Sequence, residues 1–311
     1  MAVAFISHPD CLLHDMGQHH PEQPARLRVI DEELALRGLN ARLEKHLAPL
    51  AAREQLLRVH TAEYIESIYQ LAPQTGLVSL DPDTAMNPYT LTAALRAAGA
   101  VIYAVDLVMQ GAVKAAFCSI RPPGHHAERD RAMGFCFFNN VAVGVAHALE
   151  HYQLKRVAIV DFDVHHGNGT ENIFQHDERV LLCSSFQHPF YPFSGATTKS
   201  SHIINLPLPA GSGGEVFRKK AAELWFEPIK QFQPDMLFFS AGFDAYINDE
   251  MANLRFTEDD YAWITQEIKQ IAEITCQGRM ISALEGGYDL AGLGKCVAAH
   301  IGELLSTGDS N

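Results

Sequence analysis

Arg156-Val157-Ala158-Ile159-Val160-Asp161-Phe162-Asp163-Val164-His165-His166-Gly167-Asn168-Gly169 joins two kinds of chemistry in one short stretch. Arg156 to Val160 is an apolar, β-branched run of the kind that forms a buried parallel strand. Two carboxylates and two imidazoles follow in the loop at the strand's carboxyl end, and Thr170 to Gln175 then has helical character. Asp161, Asp163 and His165 alternate, which in extended backbone turns their side chains to one face. Oxygen and nitrogen donors on one face suit zinc or a similar divalent ion. Gly167 and Gly169 give the loop the tight backbone it needs.

Outward from this stretch the same arrangement recurs. Ala115 to Ser119 leads into Arg121-Pro122-Pro123-Gly124-His125-His126, and Val180 to Cys183 into Ser184-Ser185-Phe186-Gln187-His188. Met236 to Phe239 leads into Ser240-Ala241-Gly242-Phe243-Asp244, and Met280 to Leu284 into Glu285-Gly286-Gly287-Tyr288-Asp289. Helical patterns lie between at Asn139–His151, Gly213–Gln231, Thr257–Cys276 and Leu290–Leu305. Upstream, the pattern predicts a strand at Val3–Ile6, a His-rich loop, and helices at Pro24–Arg37, Ala51–Leu57, Ala62–Leu71 and Pro88–Gln110. Strands alternating with helices define an α/β fold with a mainly parallel sheet covered on both faces. Ligands of such sheets bind beyond the carboxyl ends of the strands. The polar groups at these strand ends are therefore expected to converge on one rim.

The 311 residues are 47% hydrophobic and contain no repeat, low-complexity segment or Pro/Gly/Ser linker. Residues 1–305 are expected to form one domain, with a polar tail at 306–311. The net charge of -13 argues against a nucleic-acid surface and leans towards cationic or neutral substrates. Cys11, Cys118, Cys136, Cys183, Cys276 and Cys296 form no Cys-x-x-Cys pair and sit mostly in apolar runs, which reads as reduced, buried thiols. Met1 to Ile6 is too short for a signal peptide, and no apolar run approaches the ~20 residues of a membrane span. A cytoplasmic protein without nucleic-acid or membrane partners is expected.

A catalytic zinc site uses three protein ligands and one open position. Asp163 and His165 supply two, and Asp244 at another strand end is the strongest candidate for the third. Asp161 is expected either to orient an imidazole or to hold a monovalent cation, K+ or Na+, with backbone carbonyls and the Ser184 hydroxyl. The His125-His126 pair suits metal-assisted hydrolysis, one imidazole taking the proton of the attacking water and the other protonating the leaving group. Metal binding by the pair is the alternative. Tyr288, on a Gly-Gly-Tyr turn, is placed to donate its hydroxyl to a developing oxyanion.

Taken together, His125-His126, Asp161-x-Asp163-x-His165-His166-Gly167-Asn168-Gly169, Ser240 to Asp244 and Glu285-Gly286-Gly287-Tyr288 resemble the histone deacetylase superfamily, with its bacterial histone deacetylase-like amidohydrolases and acetylpolyamine amidohydrolases. His20-Pro21-Glu22-Gln23-Pro24-Ala25-Arg26-Leu27, Val59-His60-Thr61 with Tyr64-Ile65, and Gly134 to Asn140 add to the resemblance, which runs from His8 to Ile301. Asn168, where Asp is the alternative, is similar to the class II branch.

The resemblance implies a single-domain arginase-deacetylase fold, with a central, mainly parallel sheet of about eight strands between helices. It implies one Zn2+ at Asp163, His165 and Asp244, with His125 and His126 as general base and acid and Tyr288 polarising the carbonyl. Asp161 would orient His125, and Asn168 would orient His126 without adding charge, so the two imidazoles should differ in pKa. It also implies a narrow apolar tunnel for an acyl-lysine chain, drawn from Gly134, Phe135, Phe190, Tyr191, Met251 and Gly287.

The chain departs from the family pattern at several points. Tyr246 stands where His is common, Asp249-Glu250-Met251 where Asp-Pro-Leu is common, Asp289 where Asn is usual, and Pro192-Phe193-Ser194-Gly195 replaces a Pro-Gly turn. The acidic gatekeeper of polyamine-selective relatives aligns with Met251, an apolar residue that favours acyl-lysine or another neutral amide; a shift of one residue to Glu250 would favour a polyamine. The expected activity is zinc-dependent hydrolysis of an acetyl or short-acyl amide of an acylated lysine or small acylated amine. The rivals are an acetylpolyamine deacetylase, a two-metal arginase-like hydrolase and a non-catalytic binding module. His166 carries no assigned task.

Overall fold

Eight strands form one wholly parallel sheet in the computed structural model, which describes residues 2–306. Their order is β2 (Leu43–Leu47), β1 (Val3–Ser7), β5 (Ala115–Cys118), β10 (Met280–Leu284), β9 (Met236–Ala241), β6 (Val157–Asp161), β7 (Val180–Gln187) and β8 (Ile203–Leu208). A small antiparallel hairpin, β3 (Val78–Ser79) with β4 (Ala85–Met86), stands apart. The five strands whose ends carry the polar motifs occupy five neighbouring positions, so motifs far apart in sequence share one edge.

Period-2 alternation divides the apolar residues between two cores. Ala158 and Val160 of β6, with Leu237 and Phe239 of β9, pack into the core under α1 (Ala25–Leu36), α9 (Glu258–Cys276) and α10 (Leu290–Leu305). Val157, Ile159, Met236 and Phe238 face the opposite core with α3 (Ala62–Leu71), α4 (Thr90–Met109) and α5 (Asn140–Glu150). Four shorter helices complete the chain: α2 (Arg53–Leu56), α6 (Asn168–Phe174), α7 (Gly214–Ala221) and α8 (Glu227–Phe232).

Three sequence expectations need correction. β2 and β8 were not foreseen, because both are edge strands with mixed character: β2 is largely exposed, and β8 contains Pro207, which an edge tolerates where a central strand does not. The helix expected over Gly213–Gln231 is interrupted by a π-helical turn at Ala222–Phe226, which buries Trp225. An apolar helix of membrane-spanning length does exist, the 20-residue α4, whose most apolar 18 residues have a mean hydropathy of 1.6, but it is a core helix with 67% of those residues buried. Of the expected tail, only Ser306 lies within the described residues.

Candidate active site

Asp163 follows β6 and Asp244 follows the adjacent β9, which brings two carboxylates 81 residues apart in sequence to one point (244 − 163 = 81). Donor atoms of Asp163, His165 and Asp244 lie within 4.8 Å of one another, and all three residues are buried. Asp163 Oδ2 accepts from the Gly286 N–H at 2.9 Å, and Asp244 Oδ1 from the Val164 N–H at 2.8 Å. Asp244 Oδ2 is buried without an aligned hydrogen-bond donor, with His165 Nδ1 3.2 Å away. Burial, and then the Asp163 charge, push the Asp244 carboxyl up to about 7. Two buried carboxylates and an imidazole around an unpaired oxygen form a donor set that a divalent cation would stabilise. Gly286 permits this geometry, because a Cβ there would stand 2.1 Å from Asp244 Oδ2.

The two histidines of the pair sit in different electrostatic surroundings. His125 Nδ1 is 3.1 Å from Asp161 Oδ2, and Nε2 is 3.7 Å from Asp163 Oδ2. Burial alone would lower its pKa, but the Asp163 and Asp161 charges outweigh it and raise the imidazolium to about 10. His126 Nδ1 lies 2.7 Å from Asn168 Oδ1. The Asn168 amide donates to Glu128 Oε1 at 2.7 Å and to Met133 Sδ at 3.3 Å, so its oxygen faces the ring and His126 Nδ1 is the donor. Burial, with His125 and His165 beside it, holds the His126 pKa well below the ordinary value. The two imidazoles thus have unlike partners, a carboxylate for His125 and an amide for His126.

A cavity of about 250 Å3 opens onto these groups. The buried His126 and His165 line it together with Tyr288, Phe135, Phe190, Tyr191 and Met251, with Gly134 between His126 and Phe135. Phe190 lies nearly parallel to His165, with centroids 5.7 Å apart, and Phe135 meets Tyr288 edge-on at 5.9 Å. Gly134 has φ +55, and a Cβ on it would stand 2.4 Å from His126 Cδ2. Met251, not its exposed neighbour Glu250, faces the cavity. Gly287 stays behind the wall, its carbonyl accepting from Arg26 Nε at 2.6 Å.

His166 turns away from the cavity. Its Nε2 stands 2.8 Å from Glu171 Oε2, and its Nδ1 3.3 Å from Ser184 Oγ. Asp161 is occupied by His125 and by the Asp163 N–H at 3.1 Å, while the Ser184 hydroxyl is shared with His166.

Several further residues reveal their partners only in the structure. Asp83, an exposed residue, also lines the cavity. The buried Glu285 accepts from the Gly124 N–H at 2.6 Å and the His125 N–H at 3.1 Å. Buried Glu22 pairs with both Arg26 and Arg121, and the Arg26 guanidinium lies 4.9 Å over the Tyr288 ring. Glu22, Arg26 and Glu285 all fall within recognisable motifs, but their partners are up to 261 residues away.

Proton-carrying side chains facing an aromatic cavity beyond the carboxyl ends of a parallel sheet are the equipment of a hydrolase. Comparison with known proteins narrows this. A model of the histone deacetylase domain matches residues 20–304. The chain is 34% identical over 300 residues to a probable deacetylase of Archaeoglobus fulgidus, covering 94% of this chain and 83% of the relative. It is 34% identical over 326 residues to a histone deacetylase-like amidohydrolase of Pseudomonas aeruginosa, covering 97% and 86%. The crystal structure of the HDA15 HD domain superposes with a TM-score of 0.92 at 33% identity, covering 98% of this chain and 90% of that one. The chain belongs to the histone deacetylase family and is a hydrolase acting on amides.

Proposed function

We propose that the protein is a zinc-dependent deacetylase that removes an acetyl or short acyl group from an acylated lysine or a related neutral amide. The observation that carries this reading is that His126, His165 and Tyr288 line one aromatic cavity beside the buried Asp163, His165 and Asp244 donors. A zinc ion held by those three residues would polarise the amide carbonyl and lower the pKa of a water molecule. His126 carries the proton: its Nδ1–H is committed to Asn168, which leaves Nε2 to accept from water and then to donate to the departing amine. His125, the expected general base, lies outside the cavity lining and is oriented behind His126 by Asp161, its Nδ1 3.1 Å from Asp161 Oδ2. Burial keeps the Tyr288 phenol protonated, so its hydroxyl can donate to the oxyanion. Phe135, Phe190 and Tyr191 offer apolar walls to the methylene chain, and Met251 offers no charge to a second amine.

A second reading, an acetylpolyamine deacetylase, draws on the exposed Asp83 in the cavity lining and the net charge of -13. Asp161 and Ser184 remain the proposed neighbours of a K+ or Na+ held mainly by backbone carbonyls. Six buried, free cysteines fit a reducing compartment such as the cytoplasm.

The test is a substrate panel on zinc-reconstituted protein, comparing acetyl-lysine peptides with acetylated putrescine and spermidine, with a hydroxamate as inhibitor. Turnover favouring the peptides and blocked by the hydroxamate is expected. Preference for the polyamines would establish the second reading, and insensitivity to the chelator would overturn the metal-dependent one. Tyr288→Phe should bind zinc normally and lose most turnover.

A further inference from the structure

We infer that Asp249 is a positioning residue that sets where the Tyr288 hydroxyl stands in the cavity, an inference that rests on the reading of Tyr288 as oxyanion donor. Asp249 is buried behind the rim. Its Oδ2 accepts from the Tyr288 N–H at 2.6 Å and the Asp289 N–H at 3.0 Å, and its Oδ1 from the Met251 N–H at 3.0 Å. One carboxylate therefore closes two turns, and the side chains those turns carry, Met251 and Tyr288, face the same cavity. Asp249 itself does not line that cavity, so any effect on turnover must pass through its neighbours.

The Tyr288 turn needs such a hold. Gly287 adopts φ +119, a conformation that glycine enters without steric guidance, so the turn does little to fix its own direction. Arg26 grips it from one side, through the carbonyls of Glu285 and Gly287 and by lying over the Tyr288 ring. Asp249 grips it from the other side, through the amides of Tyr288 and Asp289. A cation on the carbonyls and an anion on the amides make a clamp of charge-assisted bonds, which are stronger than neutral ones. Asparagine in place of Asp249 would fill the same volume with one oxygen fewer and would turn an N–H donor towards another donor. The backbone could relax by a fraction of an ångström, enough to spoil a hydrogen bond made only in the transition state.

The experiment is a double-mutant cycle on the full, zinc-loaded chain, with Asp249→Asn, Tyr288→Phe and the pair, measuring kcat and KM on an acetyl-lysine peptide together with zinc stoichiometry. Asp249→Asn is expected to lower kcat roughly 10- to 100-fold, with KM changed less than about 3-fold and zinc content unchanged. Added to Tyr288→Phe, it should cost less than about 2-fold more, because the group it positions is gone. Losses that multiply in the double variant, or full kcat in Asp249→Asn, would overturn the inference while leaving Tyr288 its role. Wild-type kcat in Tyr288→Phe would overturn the reading of Tyr288 and this inference with it. Should Asp249→Asn not fold, Asp249→Glu, which keeps both oxygens one methylene further out, enters the same cycle with the same deciding outcomes.

Discussion

Asn168 Oδ1 accepts from His126 Nδ1 at 2.7 Å, so the imidazole that faces the cavity is oriented by a neutral amide, whereas His125 next to it is paired with a carboxylate. His126 therefore lacks the carboxylate partner that favours the charged form of His125. Replacing Asn168 by Asp adds a negative charge that favours the His126 imidazolium and raises its pKa. Below that raised pKa the base is already protonated, so the acidic limb of kcat/KM should move upward by roughly one pH unit or more. Glu128 Oε1 accepts from the Asn168 amide and would repel the new carboxylate, so the variant is best made with Glu128→Gln. An unmoved acidic limb would show that His126 is not the titrating base.

Met251 lines the cavity and carries no charge. Met251→Glu should raise kcat/KM for acetylspermidine relative to an acetyl-lysine peptide by roughly tenfold or more, since it supplies an attraction to one substrate and buries an unpaired charge against the other. The corresponding change at the exposed Glu250, Glu250→Gln, should move that ratio much less. Competition assays with both substrates in one tube read the ratio directly.

Asp163 and Asp244 are buried on either side of His165, and burial with the Asp163 charge raises the Asp244 carboxyl, a repulsion that a divalent ion among the three would relieve. Chelation should lower the thermal midpoint and zinc should restore it; free zinc at 100 times its Kd contributes about 2.7 kcal/mol by mass action. Asp244→Asn removes one of the repelling charges along with a donor. Its chelated form should therefore melt no lower than chelated wild type, while its zinc-dependent rise shrinks. Calorimetry of the four states would expose a structural rather than a metal-holding role if the zinc-dependent rise were unchanged.

His60 is held neutral by two partners of opposite demand. Its Nδ1 donates to the Glu128 carbonyl at 2.8 Å, and its Nε2 accepts from the Asn139 N–H at 3.0 Å, so a second ring proton would break the latter bond. Burial lowers its pKa to about 4. The unfolded chain takes up this proton near pH 6.5 and the folded one only near 4, so the stability is complete above about 6.5 and is lost as the pH falls through that window. The full loss is about 3 kcal/mol. Denaturant unfolding between pH 7 and 4.5 should show His60→Gln with a shallower fall in stability than wild type, whatever its absolute stability.

The chain's local chemistry made the α/β class, the helices and the polar loops legible, because burial leaves a period-2 or period-3.6 trace and a metal loop needs its donors at alternate positions. Asp163 with His165 could be seen in one line of sequence. The edge strands could not, since β2 and β8 bury too little to leave a clear pattern.

The sequence by itself determined which residues could do chemistry and that they stand at strand ends. The tertiary structure alone decided which strand ends are neighbours, that Met251 and not Glu250 faces the cavity, and that His166 turns back to Glu171. It also decided which side chains bond the backbone around His125 and Tyr288: Glu285 on the His125 amide, and Arg26 and Asp249 on the Tyr288 turn. These are side-chain bonds to backbone groups 39 to 261 residues away, and any residue type presents the same amide and carbonyl, so nothing in the partner's identity announces them.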